Sequence, residues 1–167
     1  LQGYVESRWL KLGRNWWYFN EDGRMHTGWF LYGNRWYYRY PDGTYLKNGW
    51  GFIGNSWYLF DANGMMLTGW QMKNDVYYYM SGDGKMQTGW LLYNNTWYYL
   101  SESGAMETGW ITLGDKTYYL GGDGGMLTGW QNIDGQIYYL YPDGHKAVNE
   151  VIDTFYVDQD GIWRKPQ

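Results

Sequence analysis

The chain has 167 residues, 23% of them aromatic and 25 of them glycine, and its formal net charge is −4. So many rings argue against disorder, and the acidic balance argues against a nucleic-acid partner. The absence of cysteine removes disulfides, thiolate metal sites and cysteine nucleophiles together.

Residues 1–8 read as the tail of an earlier element, because Gly3, Tyr4 and Val5 hold the places that Gly23, Arg24 and Met25 hold before the next repeat. A longer parent protein is therefore expected. From residue 9 to residue 147 the chain is a repeat array. Trp9, Trp29, Trp50, Trp70, Trp90, Trp110 and Trp130 recur every 20 residues, except for 21 between Trp29 and Trp50, where the extra residue falls within Thr44–Leu46. With each such Trp as position 0, positions +4 and +5 carry Gly, Asn or Asp in most repeats (Gly33-Asn34, Asn94-Asn95), and +7 to +9 are mostly aromatic (Trp36-Tyr37-Tyr38, Trp97-Tyr98-Tyr99). Positions +13 and +14 are Asp-Gly or a close substitute, and a Met or Leu stands four residues before the following Trp in most repeats. Residues 148–167 break the pattern, with Val148-Asn149-Glu150 in place of Thr-Gly-Trp, and are read as a C-terminal cap.

Each unit is predicted to be a β-hairpin followed by a turn. Paired Gly, Asn and Asp supply the positive φ of two-residue hairpin turns, and the flanking Trp, Tyr and Leu suit strands. Glycine returns too often for an amphipathic helix. A lone two-stranded hairpin is marginal in water, so the units must stack and share apolar faces. The expected fold is all-β, a solenoid of about seven stacked 20-residue hairpins. No run is long and apolar enough to span a membrane, so no membrane insertion is expected.

The turn fixes the register. Position +2 faces +7 and position 0 faces +9, so the rings at 0 and +7 project from one face and the +8 ring from the other. Two rings of one hairpin and one of the next then converge on the gap between units. A cage of this kind suits a quaternary ammonium, which is weakly hydrated and has no N–H to donate. The competing reading makes the rings nothing more than the core, and the +9 tyrosines (Tyr38, Tyr79, Tyr99, Tyr119 and Tyr139) are expected to be largely core. The Asp-Gly pairs read as turns rather than paired catalytic carboxylates. His26 and His145 read as exposed turn residues. No nucleophile–His pair, metal cluster or phosphate loop is visible, so neither a catalytic site nor a cofactor is expected.

Units such as Thr88-Gly89-Trp90 through Trp97-Tyr98-Tyr99-Leu100 to Gly104, Met106 and Thr108-Gly109-Trp110 resemble choline-binding repeats, over about residues 3–150. The resemblance implies a left-handed superhelix that attaches Gram-positive surface proteins, cell-wall hydrolases and phage lysins to choline on teichoic and lipoteichoic acids, outside the cell. It places the cage at the Trp of position 0, the +7 aromatic and the +8 Tyr of the next unit, often completed by a Met or Leu. Carried over, this gives Trp9, Trp16 and Tyr37; Trp29, Trp36 and Tyr58; Trp50, Trp57 and Tyr78; Trp70, Tyr77 and Tyr98; and Trp90, Trp97 and Tyr118. Met25, Met66, Met86 and Met106 are candidate floors.

Thr117 and Ile137 replace the +7 ring at the last two junctions, which are expected to bind choline poorly or to serve only as structure. The resemblance also implies a homodimer through terminal repeats, which would make Phe155, Tyr156 and Trp163 interface rather than cap. The main alternative is a carbohydrate-binding repeat of the kind found in glucan-binding domains. In those repeats +7 is usually polar, whereas here it is Trp16, Trp36, Trp57, Tyr77 or Trp97 in five units.

Overall fold

The computed structural model describes residues 8–13 and 15–165; the side chains of Arg8, Trp9, Leu12, Asn15 and Trp16 lie outside the described residues. The described residues contain no helix. Their strands run β1 (Arg8–Leu12), β2 (Asn15–Phe19), β3 (Gly28–Tyr32), β4 (Arg35–Arg39), β5 (Gly49–Ile53), β6 (Ser56–Phe60), β7 (Gly69–Lys73) and β8 (Val76–Met80). They continue as β9 (Gly89–Tyr93), β10 (Thr96–Leu100), β11 (Gly109–Leu113), β12 (Lys116–Leu120), β13 (Gly129–Ile133), β14 (Gln136–Leu140), β15 (Glu150–Ile152) and β16 (Phe155–Val157). Consecutive strands pair into eight two-stranded sheets, so the protein is all-β and built of successive hairpins. Two compact units are distinguished, residues 1–71 with 80–86 and residues 72–79 with 87–167.

The hairpins form where the turn residues permit them. Asn94 and Asn95 take φ of 48° and 62°, and Gly33 and Asn34 take 54° and 59°, the left-handed pair that a tight hairpin turn with the right strand twist requires. The register follows from the turn: Trp97 faces Leu92, and Tyr99 faces Trp90. After each hairpin the chain reverses again, as where the Gly104 N–H donates to the Ser101 carbonyl at 2.9 Å. The returning segment then links neighbouring hairpins within a unit. Met126 bridges Leu120 of its own hairpin, while its N–H donates to the Trp97 carbonyl of the preceding hairpin at 2.8 Å. Met66 does the same toward Trp36 in the other unit.

The fully buried row is position +10, not the +9 tyrosines. In the second unit Leu100, Leu120, Leu140 and Val157 are 0% exposed, and in the first Phe60 is 2% and Met80 is 0%. Position +10 lies between its hairpin and the returning segment that bridges it, so it is covered from both sides. The +9 tyrosines share a face with the Trp of position 0 and stay half-buried, whereas Leu59 at the same position is buried. Each buried Leu of this row contributes about 1.5–3 kcal/mol.

Arg39 is the exception in that row. It is fully buried, with its guanidinium 4.3 Å from the Tyr45 ring and 5.7 Å from each of the Trp17 and Phe30 rings. His26 also departs from expectation. It is half-buried, and its ring nitrogens lie 2.8 Å from Asn20 Oδ1 and 2.8 Å from the Trp29 carbonyl oxygen.

The last hairpin, β15–β16, is two residue pairs shorter than the others, pairing Glu150 with Val157, Val151 with Tyr156 and Ile152 with Phe155. Val157 takes the buried +10 place and bridges Trp163, as Leu120 bridges Met126. Val151 therefore stands where other units have their repeat Trp, Phe155 holds +8, and Trp163 holds the methionine position.

Candidate functional site

The repeat Trp is placed by the first strand of a hairpin and the +7 ring by the second, two residues from its cross-strand partner. In the first unit Trp29 and Trp36 stand 6.5 Å apart at 85°, and Tyr58 of the next hairpin lies 4.7 Å from Trp29 at 64°. In the second unit Trp90 and Trp97 stand 6.3 Å apart at 87°, with Tyr118 at 5.0 Å and 69°. Three near-perpendicular rings thus wall each space. The spaces are open: the first holds about 400 Å³ and the second about 290 Å³, at the lower end of small-molecule sites. The +7 rings are the exposed walls, Trp36 at 45% and Trp97 at 42%.

A methionine completes both sites. Met66 lines the Trp29 space and Met126 the Trp90 space. A notch in the following hairpin admits this side chain. Gly144 has φ of 89°, and a Cβ there would run into the Met126 thioether. Met66 lies against Gly84 in the same way. A carboxylate from that same turn reaches each rim, Asp83 at the first and Asp143 at the second.

Asp83 accepts a hydrogen bond from the Ser81 hydroxyl and pairs with Lys85 Nζ at 2.9 Å, which together hold its carboxyl down to about 2. Burial works against ionisation of Asp143, but its bonds to His145 and Lys116 outweigh this and keep its pKa below the ordinary value. Both carboxyls are therefore ionised at neutral pH, each paired with a lysine ammonium, Lys85 at the first rim and Lys116 beside the second.

Sequence reasoning brought together two of its five residue sets within single units, Trp29/Trp36/Tyr58 and Trp90/Trp97/Tyr118. In the first set of the array Tyr37 stacks on Phe30 at 5.4 Å, while the side chains of Trp9 and Trp16 lie outside the described residues. The set Trp50, Trp57 and Tyr78 is divided between the two compact units, and so is the set Trp70, Tyr77 and Tyr98. Within one unit, Trp50 and Trp57 repeat the wall geometry at 6.4 Å and 86°. Met25 lies beside Gly43, Met86 donates its N–H to the Trp57 carbonyl, and Met106 donates to the Tyr77 carbonyl and packs on Gly124. Sequence reasoning missed Met126, Asp83, Lys85 and Asp143, although the first belongs to the same periodic series as Met66.

The last two junctions differ. At Trp110 the +8 ring is present, with Tyr138 at 4.9 Å and 67°, but Lys146 occupies the methionine position and its Nζ lies 5.3 Å from the Trp110 ring and 5.8 Å from the Tyr138 ring. At Trp130, Phe155 stands 5.8 Å away at 87°, and Trp163 lies 6.1 Å from Phe155. Among the described residues no three His, Asp or Glu side chains converge to hold a metal ion.

A family model described as a choline-binding repeat matches residues 5–50, 47–86, 74–108 and 107–150. No curated protein sequence matches the chain. Among solved structures, CbpJ from Streptococcus pneumoniae TIGR4 superposes with a TM-score of 0.88 at 38% identity, over 95% of this chain and 58% of that one. Choline binding protein F from Streptococcus pneumoniae gives 0.87 and 37%, over 96% and 58%. The modular autolysin LytC from Streptococcus pneumoniae gives 0.74 and 27%, over 96% of this chain and 38% of that one. The chain thus spans a little over half the length of the first two. Four matches across almost the whole array, on a scaffold of consecutive hairpins walled by periodic rings, show that the chain belongs to the choline-binding repeat family.

Proposed function

We propose that the chain is a non-catalytic cell-wall-binding module whose inter-hairpin cages take the choline groups of teichoic and lipoteichoic acids, holding a longer surface protein or hydrolase on the outside of the cell. The observation that carries this reading is the open three-ring space at Trp29, Trp36 and Tyr58, repeated at Trp90, Trp97 and Tyr118. Ring faces present negative quadrupole charge to a cation that cannot hydrogen-bond. Each ring contributes about 0.5–2 kcal/mol, so a single cage binds at about millimolar strength after association costs. Several cages on one array then grip a polymer of many choline groups far more tightly than any one of them does. Support comes from the family and from a neighbour: CbpF, 35% identical, is solved in complex with ipratropium by soaking.

The experiment is retention on an immobilised tertiary or quaternary amine resin. The protein is expected to bind in high salt and to elute with free choline. Passage through that resin combined with retention on dextran would replace this reading with carbohydrate binding.

A further inference from the structure

We infer that the junction at Trp110 carries its own ligand: the Lys146 ammonium is a tethered cation that closes this cage to quaternary ammonium groups, an inference that rests on the reading of the cages given above.

Three registrations place Lys146 in the seat that methionine takes elsewhere. Its N–H donates to the carbonyl of Thr117, the +7 residue, at 2.7 Å, as Met126 donates to Trp97 and Met66 to Trp36. It bridges Leu140 of its own hairpin, as Met126 bridges Leu120. Its stem fills the notch of the following hairpin, where a Cβ on Gly161 would meet Lys146 Cδ at 2.8 Å and Cε at 3.0 Å. A methionine in that seat ends in an apolar thioether that floors an open space. A lysine is longer and ends in a charge, which here lies over the Trp110 and Tyr138 rings and donates to the Asp160 carbonyl at 2.8 Å.

Both attractions that a cage offers a bound cation, ring faces and a nearby oxygen, are thereby already taken. The third wall is missing at the same junction, because Thr117 stands where Trp36 and Trp97 stand in the open cages. An incoming trimethylammonium would have to displace an ammonium that never leaves the chain.

The test uses the full chain and two substitutions. Thr117→Trp restores the third wall but leaves the lysine, and the double variant Thr117→Trp/Lys146→Met also restores the common seat residue. Choline sites are counted by equilibrium dialysis, and folding is checked by near-ultraviolet circular dichroism. The count is expected to equal that of the wild type in Thr117→Trp and to rise by one in the double variant. A gained site in Thr117→Trp alone, or none gained in the double variant while the wild-type sites still fill, overturns the inference.

A second readout is independent of choline. The ε-methylene protons of Lys146 are expected to be shifted upfield by ring currents, and to stay there at saturating choline. Random-coil shifts for them also overturn it. If the wild type binds no choline while these protons remain upfield, the functional reading fails and the ring contact of Lys146 stands, so the two failures are told apart.

Discussion

Trp97→Ala separates a binding wall from a core residue. Trp97 is 42% exposed and meets Trp90 in a perpendicular contact, so its removal costs less packing than that of a fully buried ring. With more than half of its surface covered, the expected loss of stability is about 1–3 kcal/mol, short of unfolding the array. The loss of one ring from a three-ring cage costs the ligand about 1–2 kcal/mol, which is a 5- to 30-fold weakening at that site alone. The indole Nε–H resonances of Trp90 and Trp29 resolve the two cages in a choline titration by nuclear magnetic resonance. The midpoint seen at Trp90 is expected to move up 5- to 30-fold while that at Trp29 stays in place. An unchanged midpoint at Trp90 would show that the ring is no wall, and loss of the folded spectrum would show that it belongs to the core.

Three further outcomes follow from the same geometry. Leu100 is fully buried in the +10 row, so Leu100→Ala is expected to lower stability by about 2–5 kcal/mol in denaturant unfolding, with choline midpoints unchanged in the protein that remains folded; a loss below 1 kcal/mol would contradict the placement of the core. The Asp83 carboxyl titrates near 2 when folded against an ordinary value of about 3.9, so the stabilisation from its bonds is present above about pH 4 and is lost as pH falls through 2. Carboxyl carbon shifts read that midpoint directly, and a value near 4 would refute the hydrogen-bonded pair with Ser81 and Lys85. Finally, 3,3-dimethylbutan-1-ol matches choline in shape without its charge and is expected to bind at least about tenfold more weakly in competition on the amine resin; equal potency would assign the cages to apolar contact rather than cation–π attraction.

The hairpins and their register were legible because both are local. The pair Asn94-Asn95 dictates a two-residue turn, and that turn settles that Trp97 faces Leu92 and that Trp90 shares its face. The first two walls of each cage follow from nothing else. Contacts between hairpins were less legible, because they depend on how one unit seats on another. The third wall followed only once the units were taken to stack face to opposite face, which brings the +8 ring of the next hairpin, Tyr58 or Tyr118, to the gap.

Met126 and Asp143 come to the Trp90 cage from one and two repeats further along, through the return segment and the next turn, and no spacing within a hairpin announces them. The burial of +10 rather than +9 has the same origin, since the returning segment that covers Leu100 and Leu120 is not part of the hairpin. Nothing in the repeat pattern singles out Lys146. Only the coordinates set its ammonium over Trp110 and Tyr138.

A crystal structure grown in choline tests the central claim most directly. Trimethylammonium density is expected among Trp29, Trp36 and Tyr58 and again among Trp90, Trp97 and Tyr118, with none between Trp110 and Tyr138. Spaces that stay empty at saturating choline, or that Met66 and Met126 fill with their own side chains, would contradict it.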